Sequence, residues 1–289
     1  MKIGLVGLGR MGAGMAERLR RSGHELVGYD RNPEVSEVGS LKELVDSLEA
    51  PRIVWVMVPA GAPTDATLVE LAGLVSSGDI LIDGGNSYYK DSKRHAEELA
   101  QQNIKFLDAG TSGGIWGLEE GFCLMVGGPK DAFATVEAIF KALAPEDGYA
   151  HVGPSGAGHY TKMVHNGIEY AMLQAYAEGF DLLQASEFEL DLHQLAALWN
   201  HGSVVRSWLL ELAESAFEKD ATLESLQGYV DDSGEGRWTV LEAVERGVAA
   251  GVISQALFAR FTSREENSFA MRVIAALRNE FGGHAVQKR

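Results

Sequence analysis

The chain has 289 residues, 46% of them hydrophobic and 23% charged, and carries a formal net charge of −16. That length suits two domains better than one core, and the composition is that of an ordinary globular protein. The acidic balance argues against nucleic acid or an anionic membrane surface as partner, since both reward basic patches, but it leaves room for a small anion held by local Arg and Lys.

The first 150 or so residues alternate short β-rich runs with amphipathic helical ones. Strands are expected at Ile3–Val6, Glu25–Tyr29, Ile53–Val58, Ile80–Asp83, Lys105–Asp108, Cys123–Gly127 and Ala150–Val152, with helices such as Met11–Ser22, Leu41–Leu48 and Ser92–Gln102 between them. This is the βαβ pattern of a doubly wound, mainly parallel sheet, a Rossmann-type α/β domain. Strand-like sequence from Lys2 leaves no room for a signal peptide, and no apolar stretch approaches a membrane span. The single cysteine, Cys123, excludes an internal disulfide framework and a thiolate metal cluster, and suits a reducing cytoplasm. Lying in the apolar run GFCLMVGG, it is expected to be a buried, inert thiol.

Gly7-Leu8-Gly9-Arg10-Met11-Gly12 is GxGxxG, set between a strand and a helix. Its glycines permit a tight turn and close approach to a pyrophosphate, whose charge would sit at the helix N-terminus. Asp30 stands 18 residues after Gly12 at the end of the second strand, where a carboxylate can bond ribose hydroxyls and repel a 2′-phosphate. That favours NAD, with NADP possible because Arg31 could hold a 2′-phosphate. Two further loops, beginning Val58-Pro59 and containing Asn86, follow strand ends on the same rim, and the Asn86 amide could bridge cofactor and substrate.

After Gly153-Pro154-Ser155-Gly156 the strand signal stops and helical patterns take over, interrupted near Asp231–Gly236. The expected division is a dinucleotide-binding domain over 1–157 and an all-helical substrate and oligomerisation domain over 158–289. The helix that opens the second part reads GAGHYTKMVHNGIEYAML. At about 100° per residue, Lys162, His165, Asn166, Glu169 and Tyr170 share an arc of roughly 140°, opposite Met163, Val164, Ile168, Ala171 and Met172. A solvated polar face is one reading. A base, an amide and an acid on successive turns also suit proton transfer. No metal site is expected, because the histidines do not cluster; most, such as His24, His95 and His193, read as surface or capping residues.

LVGLGRMGAGMAERL, the loop Asp108–Gly114 and GPSGAGHYTKMVHN resemble the β-hydroxyacid dehydrogenases. More narrowly, IDGGNSYYKDS, Lys162–Tyr170, GRWT at 236–239, Phe258-Ala259-Arg260 and the tail from Arg278 to His284 resemble the decarboxylating 6-phosphogluconate dehydrogenases in a short form, with one helical unit followed by the tail. The resemblance implies oxidation of a sugar-acid phosphate at C3, then loss of CO₂. Lys162 would act as general base and Glu169 as general acid, with Asn166 polarising the ketone. Ser112, Gly113 and Gly114 would hold the carboxylate, His165, Asn86 and His284 the hydroxyls or carboxylate, and Tyr170, Arg260 and Arg278 the phosphate. It also implies self-association as a dimer or tetramer, the tail reaching a neighbouring subunit's site. A helix that simply ends at Gly282-Gly283 is the plainer reading of that tail. Ser233 and Glu235 depart from the long form's lysine and threonine, so either Arg237, Arg206 or Lys219 compensates, the favoured reading because Arg260, Arg278 and Tyr170 remain, or the preferred substrate is less phosphorylated. The alternatives are a non-decarboxylating 3-hydroxyacid dehydrogenase or imine reductase-like enzyme, and a catalytically silent dinucleotide-binding protein.

Overall fold

The computed structural model describes residues 1–287, and the chain divides after His165 into two units. The first begins β1 (Lys2–Val6), α1 (Arg10–Arg21), β2 (Glu25–Tyr29), α2 (Leu41–Asp46), β3 (Ile53–Val56), α3 (Ala62–Ala72), β4 (Ile80–Asp83) and α4 (Tyr89–Ala100). It continues with β5 (Lys105–Ser112), a 3₁₀ turn at Gly114–Trp116, α5 (Gly117–Glu120), β6 (Cys123–Gly127), α6 (Lys130–Leu143) and β7 (Tyr149–Gly153). The strands form one sheet in the order β2-β1-β3-β4-β5-β6-β7. Every pairing is parallel except β5 with β6.

Both faces of this sheet are covered, which is why its strands read as continuous apolar runs rather than alternating ones. Ile53 and Trp55 point to one side and pack with Met15, Leu19, Val136, Ile139 and Phe140 of α1 and α6. Val54 and Val56 point to the other and pack with Leu41, Leu44, Leu68 and Leu71 of α2 and α3. Each such fully buried side chain contributes roughly 1.5–3 kcal/mol. The Trp55 and Phe140 rings meet edge-on with centroids 5.9 Å apart.

Four expectations need correction here. β3 ends at Val56, not Val58, because the chain turns into the loop around Pro59, which has no N–H to continue a ladder. β5 runs on from Asp108 to Ser112; Ala109–Ser112 pair antiparallel with Cys123–Val126, although small residues gave no strand signal. Cys123 is exposed. It opens β6 opposite Ser112 at the far end of β5, and burial begins only at Phe122 and Leu124 on either side of it. His95 is buried, with Tyr89, Ser92 and Leu99 on the inner face of α4. Its Nε2 lies 2.6 Å from Asp65 Oδ1, and its ring meets Phe106 edge-on.

The unit boundary falls within α7 (Ala157–Gln184), a 28-residue helix. The second unit then holds α8 (Leu192–Asn200), α9 (Trp208–Lys219), α10 (Glu235–Arg246), α11 (Gly251–Thr262) and α12 (Phe269–Gly282). Asp191 and Ser207 cap α8 and α9 by accepting from Gln194 N (3.0 Å) and Leu210 N (3.1 Å). Phe180 of α7 packs with Leu192, Ala196, Leu210 and Phe217 of α8 and α9. Tyr170 packs with Ala256 and Leu257 of α11. No helix among the described residues is long and apolar enough to cross a membrane.

Candidate active site

Parallel sheets bind ligands outside the carboxyl ends of their strands, where the strand order reverses. Here that point lies at β1, whose neighbours β2 and β3 follow it in sequence on opposite sides. The loop leaving β1 is Gly7–Gly12, and its three glycines serve three purposes. Gly7 has φ +96°, and a Cβ there would lie 2.3 Å from Met57 O. At Gly12 a Cβ would come within 1.9 Å of Gly7 O, so only glycine lets α1 start so close to the strand. At Gly9 a Cβ would meet nothing within 4 Å. The backbone there faces open space, a cradle that a side chain would fill and a pyrophosphate could occupy. α1 starts at Arg10 with no side-chain cap and no acidic residue in its first turn, so its N-terminal N–H groups and dipole are available to an anion.

Asp30 sits beneath this loop: Oδ2 accepts from Leu8 N at 2.7 Å and Oδ1 from Asn32 N at 2.8 Å. Arg31 beside it is exposed, and so are Arg10 and Pro59, with Leu8, Met11, Val58 and Asn86 half-buried. The cofactor residues expected from sequence thus lie at the ends of β1, β2, β3 and β4. These residues fit a dinucleotide.

The other half of the first unit's site is built where β5 meets the start of α7. Asp108, fully buried, accepts from Gly156 N (2.7 Å) and His159 N (2.9 Å), fixing the N-terminus of α7 to the sheet. Ser92 of α4 adds a second tie, its Oγ 2.6 Å from His159 Nδ1. Helix and strand then touch backbone to backbone. A Cβ at Gly158 would lie 2.3 Å from Asp108 O, and one at Gly110 would lie 2.5 Å from the Cβ of Lys162. Lys162 is consequently held against Gly110 and is only 6% exposed. Beyond it on β5, Ser112 and Gly113 are half-buried and Gly114 is exposed. Gly113 and Gly114 have φ of +129° and +53°, a backbone that favours glycine. The capping role of Asp108 was not visible in the sequence, because its partners stand 48 and 51 residues away.

Along α7 the polar arc is not a solvated face. Lys162 and Tyr170 are buried, and His165, Asn166 and Glu169 are half-buried, whereas Ile168 and Met172 on the apolar side are 50% and 38% exposed. Lys162 and Glu169 are seven residues apart, about two turns of one helix, with Asn166 one turn from the lysine.

In the second unit Tyr170 gathers a cluster. The guanidinium of Arg260 lies 3.5 Å from its ring centroid. Its hydroxyl accepts from Ser233 N at 3.0 Å and lies 3.3 Å from Ser233 Oγ. The Arg260 Nη1 donates to Asp231 O at 2.9 Å. Tyr170 and Arg260, both expected at a phosphate, are therefore brought together. Of the three cations expected to compensate for Ser233, Arg237 is the one that reaches the adjoining loop, through two bonds to Asp232. Arg278 stands exposed on α12, and His284 follows the Gly283 cap, whose φ is +63°. Among the described residues no hydrogen bond or ion pair joins their side chains to the Tyr170 cluster.

Residues 2–153 match the family model described as the NAD binding domain of 6-phosphogluconate dehydrogenase, and residues 158–285 match the 6-phosphogluconate dehydrogenase C-terminal domain. A Bacillus subtilis relative provisionally named 6-phosphogluconate dehydrogenase is 47% identical, with all of both chains aligned. A Haloferax volcanii relative named as the NAD(+)-dependent, decarboxylating enzyme is 44% identical over 100% of this chain and 99% of its own. The solved Plasmodium falciparum 6-phosphogluconate dehydrogenase superposes with a TM-score of 0.84 at 28% identity, all of this chain spanning 66% of that one. Matched by both domains of one family and by relatives along its full length, the chain belongs to the 6-phosphogluconate dehydrogenase family.

Proposed function

We propose that the chain oxidatively decarboxylates 6-phosphogluconate to ribulose 5-phosphate and CO₂, with Lys162 as general base and Glu169 as general acid. The observation that carries this reading is the buried Lys162 held against Gly110 of β5, one and two turns ahead of Asn166 and Glu169. Residues 1–157 then serve the cofactor, and 158–289 the substrate and self-association.

Bound at the Gly7–Gly12 loop, a nicotinamide dinucleotide supplies the hydride acceptor. Asp30, fixed by two backbone N–H groups, favours NAD by bonding ribose hydroxyls and repelling a 2′-phosphate. Lys162 takes the C3 hydroxyl proton as that carbon is oxidised, a role that requires its neutral amine. The ammonium so formed, with the Asn166 amide, stabilises the negative charge on oxygen as the carboxylate leaves. The electron pair of the broken C1–C2 bond passes into an enediol as Lys162 returns its proton to the C3 oxygen, and Lys162 takes that proton back when the ketone re-forms. Glu169 then gives a proton to the carbon that becomes C1 of the pentulose. Ser112, Gly113 and Gly114 hold the carboxylate through a hydroxyl and backbone N–H groups. Asn86, His165 and His284 contact hydroxyls or carboxylate, and Tyr170, Arg260 and Arg278 bind the phosphate.

Self-association completes this reading. α12 buries none of its residues, and Phe269, Met271, Leu277 and Phe281 are 56–78% exposed, an apolar surface of the kind that marks an interface. Paired with a second copy, this tail would carry Arg278 and His284 to the neighbour's substrate. The test of the reaction is to supply 6-phosphogluconate with NAD or NADP and measure reduced cofactor and CO₂ together. The expected result is equal yields of the two and a higher kcat/KM with NAD; reduced cofactor without CO₂ would instead indicate a simple hydroxyacid dehydrogenase.

A further inference from the structure

Resting on the reading above, in which the second unit receives a phosphate monoester, we propose that Asp232 clamps Arg237 and Arg264 into a two-guanidinium seat for that phosphate. The seat takes the place of the lysine that Ser233 replaces. The geometry begins with Asp232, whose side chain is 3% exposed. Arg237 grips it bidentately with one edge of its guanidinium, Nε to Oδ2 at 2.6 Å and Nη2 to Oδ1 at 3.0 Å. Arg264 donates from Nη2 to Oδ1 at 2.7 Å and from Nε to Arg260 O at 3.1 Å. Both guanidiniums lie over the Phe261 ring, 4.6 Å and 5.2 Å from its centroid. Each arginine is therefore held by the Asp232 carboxylate with an aromatic face beneath it; the Arg237 Nη1 remains for another acceptor, and the Arg264 Nη1 has only the solvent-exposed Asp231 Oδ1, at 3.9 Å.

This seat adjoins the Tyr170 cluster. Ser233, next in sequence to Asp232, bonds the Tyr170 hydroxyl, and Arg260 lies on the Tyr170 ring. Arg237, Arg264 and Arg260 against the two buried carboxylates Asp232 and Glu235 leave one positive charge over, which suits an anion. Asp231 is 78% exposed and 3.9 Å from Arg264, so solvent screens it. Glu235, the carboxylate that stands where the long form has a threonine, is buried at the start of α10. Asp232 is paired across the working pH range, because the Arg237 guanidinium and then that of Arg264 hold its carboxyl well below the usual carboxylate range. In this account Arg264 and Arg237 touch phosphate, and Asp232 is a positioning residue.

The test compares full-length wild type with Arg264→Met, which keeps an apolar stem over Phe261, and Arg264→Lys, which keeps charge without the fork. Inorganic phosphate is titrated by calorimetry, and kcat/KM is measured on 6-phosphogluconate and on gluconate. Expected is phosphate Kd weaker by about tenfold or more in both variants, and a similar fall in the preference for 6-phosphogluconate over gluconate, with KM rising more than kcat falls. Phosphate binding within twofold of wild type in Arg264→Met would overturn the seat. Asp232→Asn separates positioning from charge. Loss of a carboxylate makes the cluster more positive, so simple electrostatics predicts tighter phosphate binding, whereas loss of the clamp predicts weaker binding. Weaker binding supports the proposal and tighter binding overturns it; if Asp232→Asn does not fold, the Arg264 variants still decide. A wild type that binds phosphate at this seat yet never reduces NAD on 6-phosphogluconate would refute the reaction and leave the seat standing.

Discussion

Gly110→Ala is the substitution whose effect follows most directly from the packing of β5 against α7. An added methyl would lie 2.5 Å from Lys162 Cβ, 2.8 Å from Gly158 O and 3.3 Å from Gly158 C. None of these is the free end of a flexible side chain, so the clash cannot be relieved by a rotamer change. Ordinary contact requires α7 to retreat by about 1 Å, since interiors are close-packed. Overpacking of this kind costs about 1–3 kcal/mol, which lowers Tm by several degrees in a domain of this size. The larger effect falls on chemistry: moving the base by about 1 Å costs on the order of 100-fold in rate. The variant should therefore stay folded and quench on binding NADH as wild type does, while kcat on 6-phosphogluconate falls about 100-fold. A folded Gly110→Ala enzyme with kcat within threefold of wild type would refute the claim that this contact sets the position of Lys162.

The nucleotide loop yields a contrast between two glycines. Gly9→Ala, whose Cβ meets open space, should fold normally yet bind NADH at least about tenfold more weakly, whereas Gly12→Ala, at 1.9 Å from Gly7 O, should lose thermal stability before cofactor binding is considered. Glu169→Gln should keep wild-type NADH affinity and lose more than about tenfold in turnover; near-full activity would remove Glu169 from the mechanism. Gly179→Ala, within α7 where a Cβ meets nothing, should raise stability by roughly 0.5–1 kcal/mol through helix propensity and a less flexible unfolded chain, read as a higher denaturation midpoint. The pH dependence of Asp232 has a fixed sign. Its carboxyl is depressed in the folded state by Arg237 and Arg264. The stability it contributes is therefore complete above the unfolded carboxylate value of about 3.9 and lost as pH falls through the folded value. The stability difference between wild type and Asp232→Asn should be flat from pH 5 to 8 and shrink only in strong acid.

The sheet was legible because parallel strands covered on both faces are written as apolar runs, IVWV at β3 and ILID at β4. The second half of β5 was not, since Ala109-Gly110-Thr111-Ser112 is selected for small size where α7 approaches, and that requirement erases the β signal. Cys123 was misjudged because an apolar run marks a buried strand without marking each side chain in it: Cys123 is exposed between the buried Phe122 and Leu124. His95 looked like a surface histidine because its partner Asp65 lies 30 residues earlier, on α3. The residues of the α7 arc could be listed from helical periodicity, yet their burial could not; periodicity sorts a helix into faces without saying which face is inward. Arg264 escaped notice altogether. It is one more arginine in SREENS until α11 returns it to Asp232, 32 residues away.

The central claim is that Lys162 is the base for oxidation at C3, and Lys162→Met tests it with little change in side-chain volume. With enzyme in excess over 6-phosphogluconate and NAD supplied, a single turnover should yield no NADH, while NADH binding measured by fluorescence stays at the wild-type value. A burst of NADH from that variant at a rate approaching wild type would contradict the assignment.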